Sequence, residues 1–169
     1  ISVGIDTAEG MREAFEKSNQ NILADGNLSA KEQLQYNIAA EEEFIALRKS
    51  MFQEEYDFEK QRGNEERANR VLEEKKAWLD AFGSGRAVSD AFFKWLKNQH
   101  ASEISAMFGN MSKKEIDQIN WSEPKWQKWA KDNAESFGKQ YGVAFDKLKG
   151  LVDDANTWKI FLKLTISTD

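Results

Sequence analysis

The chain has no cysteine and only one histidine, His100. Without cysteine, a disulfide framework and a thiolate metal site are both excluded. A single histidine leaves zinc and copper sites almost without ligands, and the Glu-x-x-His pairs of helical di-iron proteins are absent. We expect His100 to be a surface side chain near a helix end, and we expect the protein to have no cofactor.

Long apolar runs are also missing. No segment approaches the roughly 18 apolar residues that a membrane-spanning helix needs, and residues 1–6 are too short and polar for a signal peptide. The sequence therefore favours the cytoplasm or a virion. Because it does not begin with methionine, we expect a fragment or a processed product of a longer protein.

The residue patterns of common catalytic sites are absent as well. There is no cysteine nucleophile and no Gly-x-Ser-x-Gly motif, and the glycine-rich segment 83–86 lacks the Gly-Lys-Ser/Thr ending of a phosphate loop. Neighbouring carboxylates such as Glu54 and Glu55 lie in a highly charged segment, where a solvated helix face explains them. We therefore predict that the protein is not an enzyme.

Charge and aromatic residues divide the sequence into two regions. Residues 1–83 contain 11 Lys and Arg against 18 Asp and Glu, a net charge of −7, whereas residues 84–169 have a net charge of +2. Five of the six tryptophans lie in the second region. We predict an acidic, long-helix, coiled-coil-like region over 1–83 and a tryptophan-rich helical region over 84–169.

The hydrophobic spacing predicts a mainly α fold, with a long helix or helical hairpin and a small helical bundle. Helical character runs from a capping box at Ser29 to about Phe82. The polar segment 59–67 leaves two alternatives, a continuous helix, which we favour, or a hairpin that turns at Gly63-Asn64. The heptad register is imperfect, because Glu41 and Arg48 occupy positions where a coiled coil needs apolar residues.

Further helices are predicted on the same grounds. They cover residues 8–23, residues 87–108, a short segment behind the capping box Ser112–Glu115, and a longer segment from the cap Ser122 and first-turn Pro124 to Val152. Alternating apolar residues predict a strand at each end of the chain, at residues 1–6 and from Trp158 to Ile166. We expect these two strands to pair as a small ribbon.

Two groups of apolar residues are candidates for binding a partner. One is a stripe of apolar side chains along the predicted long helix, which we expect to be available to a partner: Phe44, Leu47, Met51 and Phe58. The other is the pair Trp126 and Trp129, whose spacing of three residues indicates a core-facing or partner-facing stripe. A sequence pI near 5.1 argues against binding to nucleic acid.

A calcium site is the alternative interpretation of residues 21–32. Asn21, Asp25, Asn27 and Glu32 resemble part of an EF-hand loop, but Leu23 stands where an oxygen ligand is needed. An Asp-Gly turn followed by a capped helix explains the same residues, and we prefer this explanation.

The two ends of the chain, residues 1–8 and 162–169, share a sequence pattern. In each segment apolar and polar residues alternate, and Asp or Ser and then Thr follow. With residues 9–14 after it, the first segment resembles the strand-to-helix opening of phage tail tape-measure proteins. The charged helical body and the Met107–Ser112 segment are in keeping with that family. The resemblance implies a long helical virion component that sets tail length and lines the tube. It carries no catalytic residues and does not explain the tryptophan-rich region.

These observations predict a helical structural or assembly segment that packs against copies of itself or against a protein partner. The alternative is a secreted or injected effector whose tryptophan-rich helices, with Trp126 and Trp129, bind a membrane or a host protein.

Overall fold

The computed structural model describes residue 10 and residues 13–17, 28–83 and 85–166. Residues 13–17 are helical, as predicted for the segment 8–23, whose remainder lies almost entirely outside the described residues. Eight further helices complete the described part: α1 Ala30–Gln61, α2 Glu65–Phe82, α3 Arg86–Gln99, α4 Ala101–Phe108, α5 Lys113–Asp117, α6 Pro124–Tyr141, α7 Asp146–Asp153 and α8 Ala155–Thr165. The prediction of a mainly α protein is confirmed. The chain forms two compact units, Ile1–Arg86 and Ala87–Asp169.

The first unit contains a helical hairpin built from α1 and α2. Its turn is Gly63, which has the positive φ of 75° that glycine adopts without strain. The side chain of Asn64 then caps α2 by accepting a hydrogen bond from the backbone N–H of Arg67 at 3.2 Å. The favoured prediction of one continuous helix is therefore wrong, and the hairpin alternative is confirmed. A reversal here lets the apolar faces on either side of the polar segment bury each other.

Aromatic side chains form most of the contact between the two helices of this hairpin. Its core consists of Phe52 from α1 with Val71, Trp78 and Phe82 from α2. The rings of Trp78 and Phe82 stack with their centroids 4.9 Å apart. α1 begins at the predicted capping box, in which the Glu32 backbone N–H donates to Ser29 Oγ at 3.1 Å.

The second unit is a bundle of short helices with Trp158 at its centre. The indole is fully buried and lies 5.7 Å from the ring of Phe92, 5.0 Å from Trp121 and 5.3 Å from Trp129, measured between centroids. Its Nε1–H donates to the carbonyl oxygen of Leu151 at 2.9 Å. One ring therefore joins α3, α6 and α8.

Trp158 lies in α8, so the predicted C-terminal strand from Trp158 to Ile166 is wrong. Trp158 and Leu162 are fully buried, whereas Ile160 and Leu164 are 56% and 80% exposed. In a strand with a period of two, all four side chains would share one face. The segment contains apolar residues at both helical and alternating spacings, and packing against the bundle selects the helical set. The predicted N-terminal strand lies outside the described residues.

Two predicted helix boundaries in the second unit also need correction. The segment predicted as one helix over 87–108 is interrupted at His100, which separates α3 from α4. The capping box at Ser112 forms as predicted. Glu123, however, precedes α6 in place of Ser122, because the Ser122 hydroxyl donates to Asn120 Oδ1 at 2.6 Å. Pro124 lies in the first turn, as predicted.

The longer helix predicted from Pro124 to Val152 is divided into α6 and α7. Gly142 ends α6 with a left-handed φ of 67°. The chain then returns so closely that a Cβ atom on Gly138 would lie 2.7 Å from the carbonyl oxygen of Val143. Glycine at these two positions therefore permits a reversal that the apolar spacing alone does not reveal.

Candidate interaction surface

α1 carries a second apolar face beside the one that packs on α2. We call this face the outer stripe, and it consists of Tyr36, Leu47, Met51 and Phe58, which are 38%, 56%, 47% and 56% exposed. At 100° per residue their Cα positions fall within roughly 60° of one another around the helix. The outer stripe therefore runs along one side of α1, away from the buried face that contains Phe52.

Three of the four α1 residues predicted to bind a partner lie in this stripe, and Phe44 does not. Phe44 is half-buried, and its ring centroid lies 4.7 Å from Phe15, 5.2 Å from Phe82 and 5.9 Å from Trp78. It is part of the hairpin core. Tyr36 was not among the predicted residues.

A repeat of eleven residues is the signal that identifies Tyr36. Tyr36, Leu47 and Phe58 are separated by eleven residues each. Eleven residues make almost three turns of α-helix, so each step rotates the position by only roughly 20° and advances it by about 16.5 Å. The spacing therefore places three large apolar side chains in line over two-thirds of α1.

Buried polar side chains explain the imperfect heptad pattern of α1. Arg48 is 4% exposed, and its guanidinium carbon lies 4.5 Å from the ring centroid of Phe52 and 5.5 Å from that of Trp78. Its Nη1 donates to Met51 Sδ at 3.5 Å, and burial lowers the pKa of Arg48. Glu41 accepts a hydrogen bond from the Gly85 N–H at 2.8 Å. Both side chains thus belong to the interior of the first unit, and Arg48 reaches the edge of the outer stripe at Met51.

The predicted partner-binding tryptophans lie inside the second unit. Trp126 and Trp129 are each only 8% exposed. Their ring centroids lie 5.1 and 5.4 Å from that of Phe108. Trp129 Nε1–H also donates to Glu103 Oε1 at 2.6 Å. These rings stabilise the bundle of the second unit, whereas the outer stripe belongs to the first unit.

His100 is half-buried at the junction of α3 and α4. Its ring centroid lies 4.8 Å from that of Trp95, and its Nδ1 lies 3.0 Å from Glu103 Oε2. The same carboxylate therefore contacts both His100 and Trp129. The half-buried position of His100 differs from the expected surface side chain.

The acidic groups do not form a metal site in the part of the chain that the structure describes. No three His, Cys, Asp or Glu side chains are grouped there as metal ligands would be. Of the residues in the calcium alternative, Asn21, Asp25 and Asn27 lie outside the described residues. The Glu32 carboxylate accepts a hydrogen bond from the Ser29 N–H at 3.2 Å, which is the capping role.

An open groove of about 540 Å³ lies beside α6 and α7. Its lining includes three lysines and three carboxylates, and Lys128 already pairs with Asp132 at 2.8 Å. Balanced charges of this kind do not select an anionic or a cationic ligand. The outer stripe is therefore the surface feature with the clearest chemical character.

None of the described helices is long and apolar enough to cross a bilayer. Comparisons of the chain with models of protein families, with curated proteins and with solved structures find no match.

Proposed function

We propose that this chain is a non-enzymatic helical interaction or assembly segment that contacts another helix through the outer stripe of α1. The observation that carries this proposal is the alignment of Leu47, Met51 and Phe58, each about half exposed, with Tyr36 along one side of a 32-residue helix. Single exposed apolar residues are common on proteins, but several large ones aligned on one side of a helix indicate an interaction surface.

The size of the outer stripe fits a specific contact. From the exposed fractions of its four side chains we estimate roughly 400 Å² of accessible apolar surface. A stable protein interface buries about 800 Å² on each partner, including a polar rim. The stripe and its bordering polar side chains together approach that size, which supports a helix laid lengthwise along α1.

A location in a phage tail is part of the proposal and rests on the sequence resemblance. Of the segments that carry it, residues 1–8 lie outside the described residues. Met107 to Ser112 forms the end of α4, a turn and the cap of α5. The effector alternative required Trp126 and Trp129 to meet a membrane or a host protein. Because both rings are buried, the packing offers it no support.

Sedimentation velocity and peptide titration test this function. We expect the full chain either to self-associate or to bind an amphipathic helical peptide from a panel of basic, acidic and uncharged sequences. The double variant Leu47→Ser with Phe58→Ser should abolish that contact, because it removes the two most exposed side chains of the stripe. Leu72→Ser is the matched control, since Leu72 is 42% exposed on α2.

A chain that stays monomeric and binds none of the peptides would contradict the proposed function. So would a contact that Leu72→Ser weakens as much as the stripe variant does. Circular dichroism of each variant checks that the helices remain formed.

A further inference from the structure

The three residues of the outer stripe that repeat every eleven positions each lie four residues after a glutamate. Glu32 precedes Tyr36 in this way, Glu43 precedes Leu47 and Glu54 precedes Phe58. The glutamates share the spacing of eleven residues, so they too fall along one line on α1. All three are exposed. One border of the outer stripe therefore carries a row of carboxylates.

The charges of this row are largely uncompensated by the part of the chain that the structure describes. Glu43 and Glu54 have neither a hydrogen bond nor an ion pair among the residues that the structure describes. Glu32 accepts a hydrogen bond only from the cap of its own helix. At the end of the stripe, the guanidinium carbon of Arg62 lies 5.3 Å from the Phe58 ring centroid, and Arg62 already pairs with Glu59 at 3.6 Å.

This charge pattern disfavours an antiparallel second copy as the occupant. If two α1 helices pack antiparallel through their outer stripes with Leu47 against Leu47, the same border of each helix faces its counterpart. Glu43 of one copy then lies within one turn of Glu54 of the other, and like charges at that distance repel. The net charge of −7 on residues 1–83 adds to the repulsion.

We propose that the outer stripe binds a basic amphipathic helix of another protein. Apolar side chains of that helix would cover Tyr36, Leu47 and Phe58, and its lysine or arginine side chains would pair with Glu43 and Glu54. This inference rests on the proposed function and adds the chemical class of the partner. Complementary charges at the border select the partner and its register, while the apolar row supplies the contact area.

Two synthetic helical peptides test the inference on the full chain. Both carry leucine at steps of eleven residues, and they differ only in having lysine or glutamate at the flanking positions. Isothermal titration at low salt should show that the lysine peptide binds at least tenfold more tightly. Replacing Glu43→Gln and Glu54→Gln together should weaken its binding about twofold to thirtyfold, the range expected for two exposed ion pairs.

The matched control is Glu66→Gln with Glu73→Gln, which removes the same charge from exposed positions on α2. It should leave the affinity for the lysine peptide nearly unchanged. Raising the salt concentration should reduce the affinity of the unmodified chain more than that of the Glu43/Glu54 variant.

Four outcomes would overturn the inference, and they differ in how much of the proposed function remains. Equal binding of both peptides, or equal loss in the control variant, would refute the basic partner and leave an interaction surface without charge preference. Self-association that Leu47→Ser abolishes, with no peptide bound, would identify a second copy as the occupant. A monomeric chain that binds neither peptide would remove the proposed function as well.

Discussion

The helical state of α8 can be tested by one matched pair of substitutions, Leu162→Ala and Leu164→Ala. The two changes are chemically identical and lie two residues apart. In the helix Leu162 is fully buried and Leu164 is 80% exposed. In a strand with a period of two, both side chains would lie on the same face and their losses would be similar.

The expected magnitudes follow from these exposures. Truncating a fully buried leucine removes apolar contacts and leaves a cavity, and such changes lower the free energy of unfolding by about 2–5 kcal/mol. Truncating an exposed leucine changes it by about 0.5 kcal/mol or less. In urea, where the free energy of unfolding falls by roughly 1–3 kcal/mol per molar, Leu162→Ala should lower the midpoint by on the order of 1–2 M.

The assay is urea denaturation of the full chain and both variants, followed by far-ultraviolet circular dichroism. Leu164→Ala should retain the midpoint of the unmodified protein within a few tenths of a molar. Equal shifts for both variants would refute the helical assignment and restore the predicted strand. A negligible shift for Leu162→Ala would refute the burial of that side chain in the second unit.

Three further predictions concern the first unit. Gly63→Ala should lower the free energy of unfolding by about 1–2 kcal/mol in urea denaturation, because alanine must adopt a positive φ at the turn. Arg48→Met should change the free energy of unfolding by about 1 kcal/mol or less, because an apolar side chain of similar length can fill the site. Arg48→Ala should lower it by about 2 kcal/mol. Equal losses for the two variants would show that the charge itself is required. Hydrogen bonds from Ser29 lower the pKa of Glu32 below 4.5. The ionised Glu32 carboxylate therefore stabilises the folded protein above that pH, and this contribution is lost as the pH falls through the folded-state pKa. A carboxyl NMR titration should show this lowered pKa, and Ser29→Ala should return it towards 4.5.

Local chemistry made part of the first unit predictable. The capping box at Ser29 and the turn residues Gly63-Asn64 are short-range signals, and both mark real boundaries of α1 and α2. The choice between a continuous helix and a hairpin was not local, because it depends on whether Phe52 and Trp78 gain more by burying each other than by staying apart. A polar segment without an apolar face is compatible with either result.

The second unit was harder to predict, because its apolar content satisfies more than one periodicity. Residues 158–166 have apolar side chains at positions that suit a strand and at positions that suit a helix. Only contact with Phe92, Trp121 and Trp129 makes the helical set the buried one. The break at Gly142, by contrast, has a local cause, because glycine adopts the left-handed φ that ends α6.

The candidate surface was found in part from its sequence. The sequence predicts that Leu47, Met51 and Phe58 are available to a partner, and each is about half exposed. Phe44 has the same character in the sequence, and only its contacts with Phe15, Trp78 and Phe82 assign it to the core. The same holds for Trp126 and Trp129, because helical spacing alone does not distinguish a core face from a partner face.

The placement of the indole rings gives this protein a spectroscopic marker for each unit. Trp78 is the only tryptophan in residues 1–86, and it stacks on Phe82 in a fully buried site. The other five lie in residues 87–169, where Trp121 and Trp158 stack closely enough for their electronic transitions to couple. A chain with Trp78→Phe would emit tryptophan light from the second unit alone. The difference from the unmodified chain would then report on the hairpin, so the melting of each unit can be followed in the intact molecule without an attached dye.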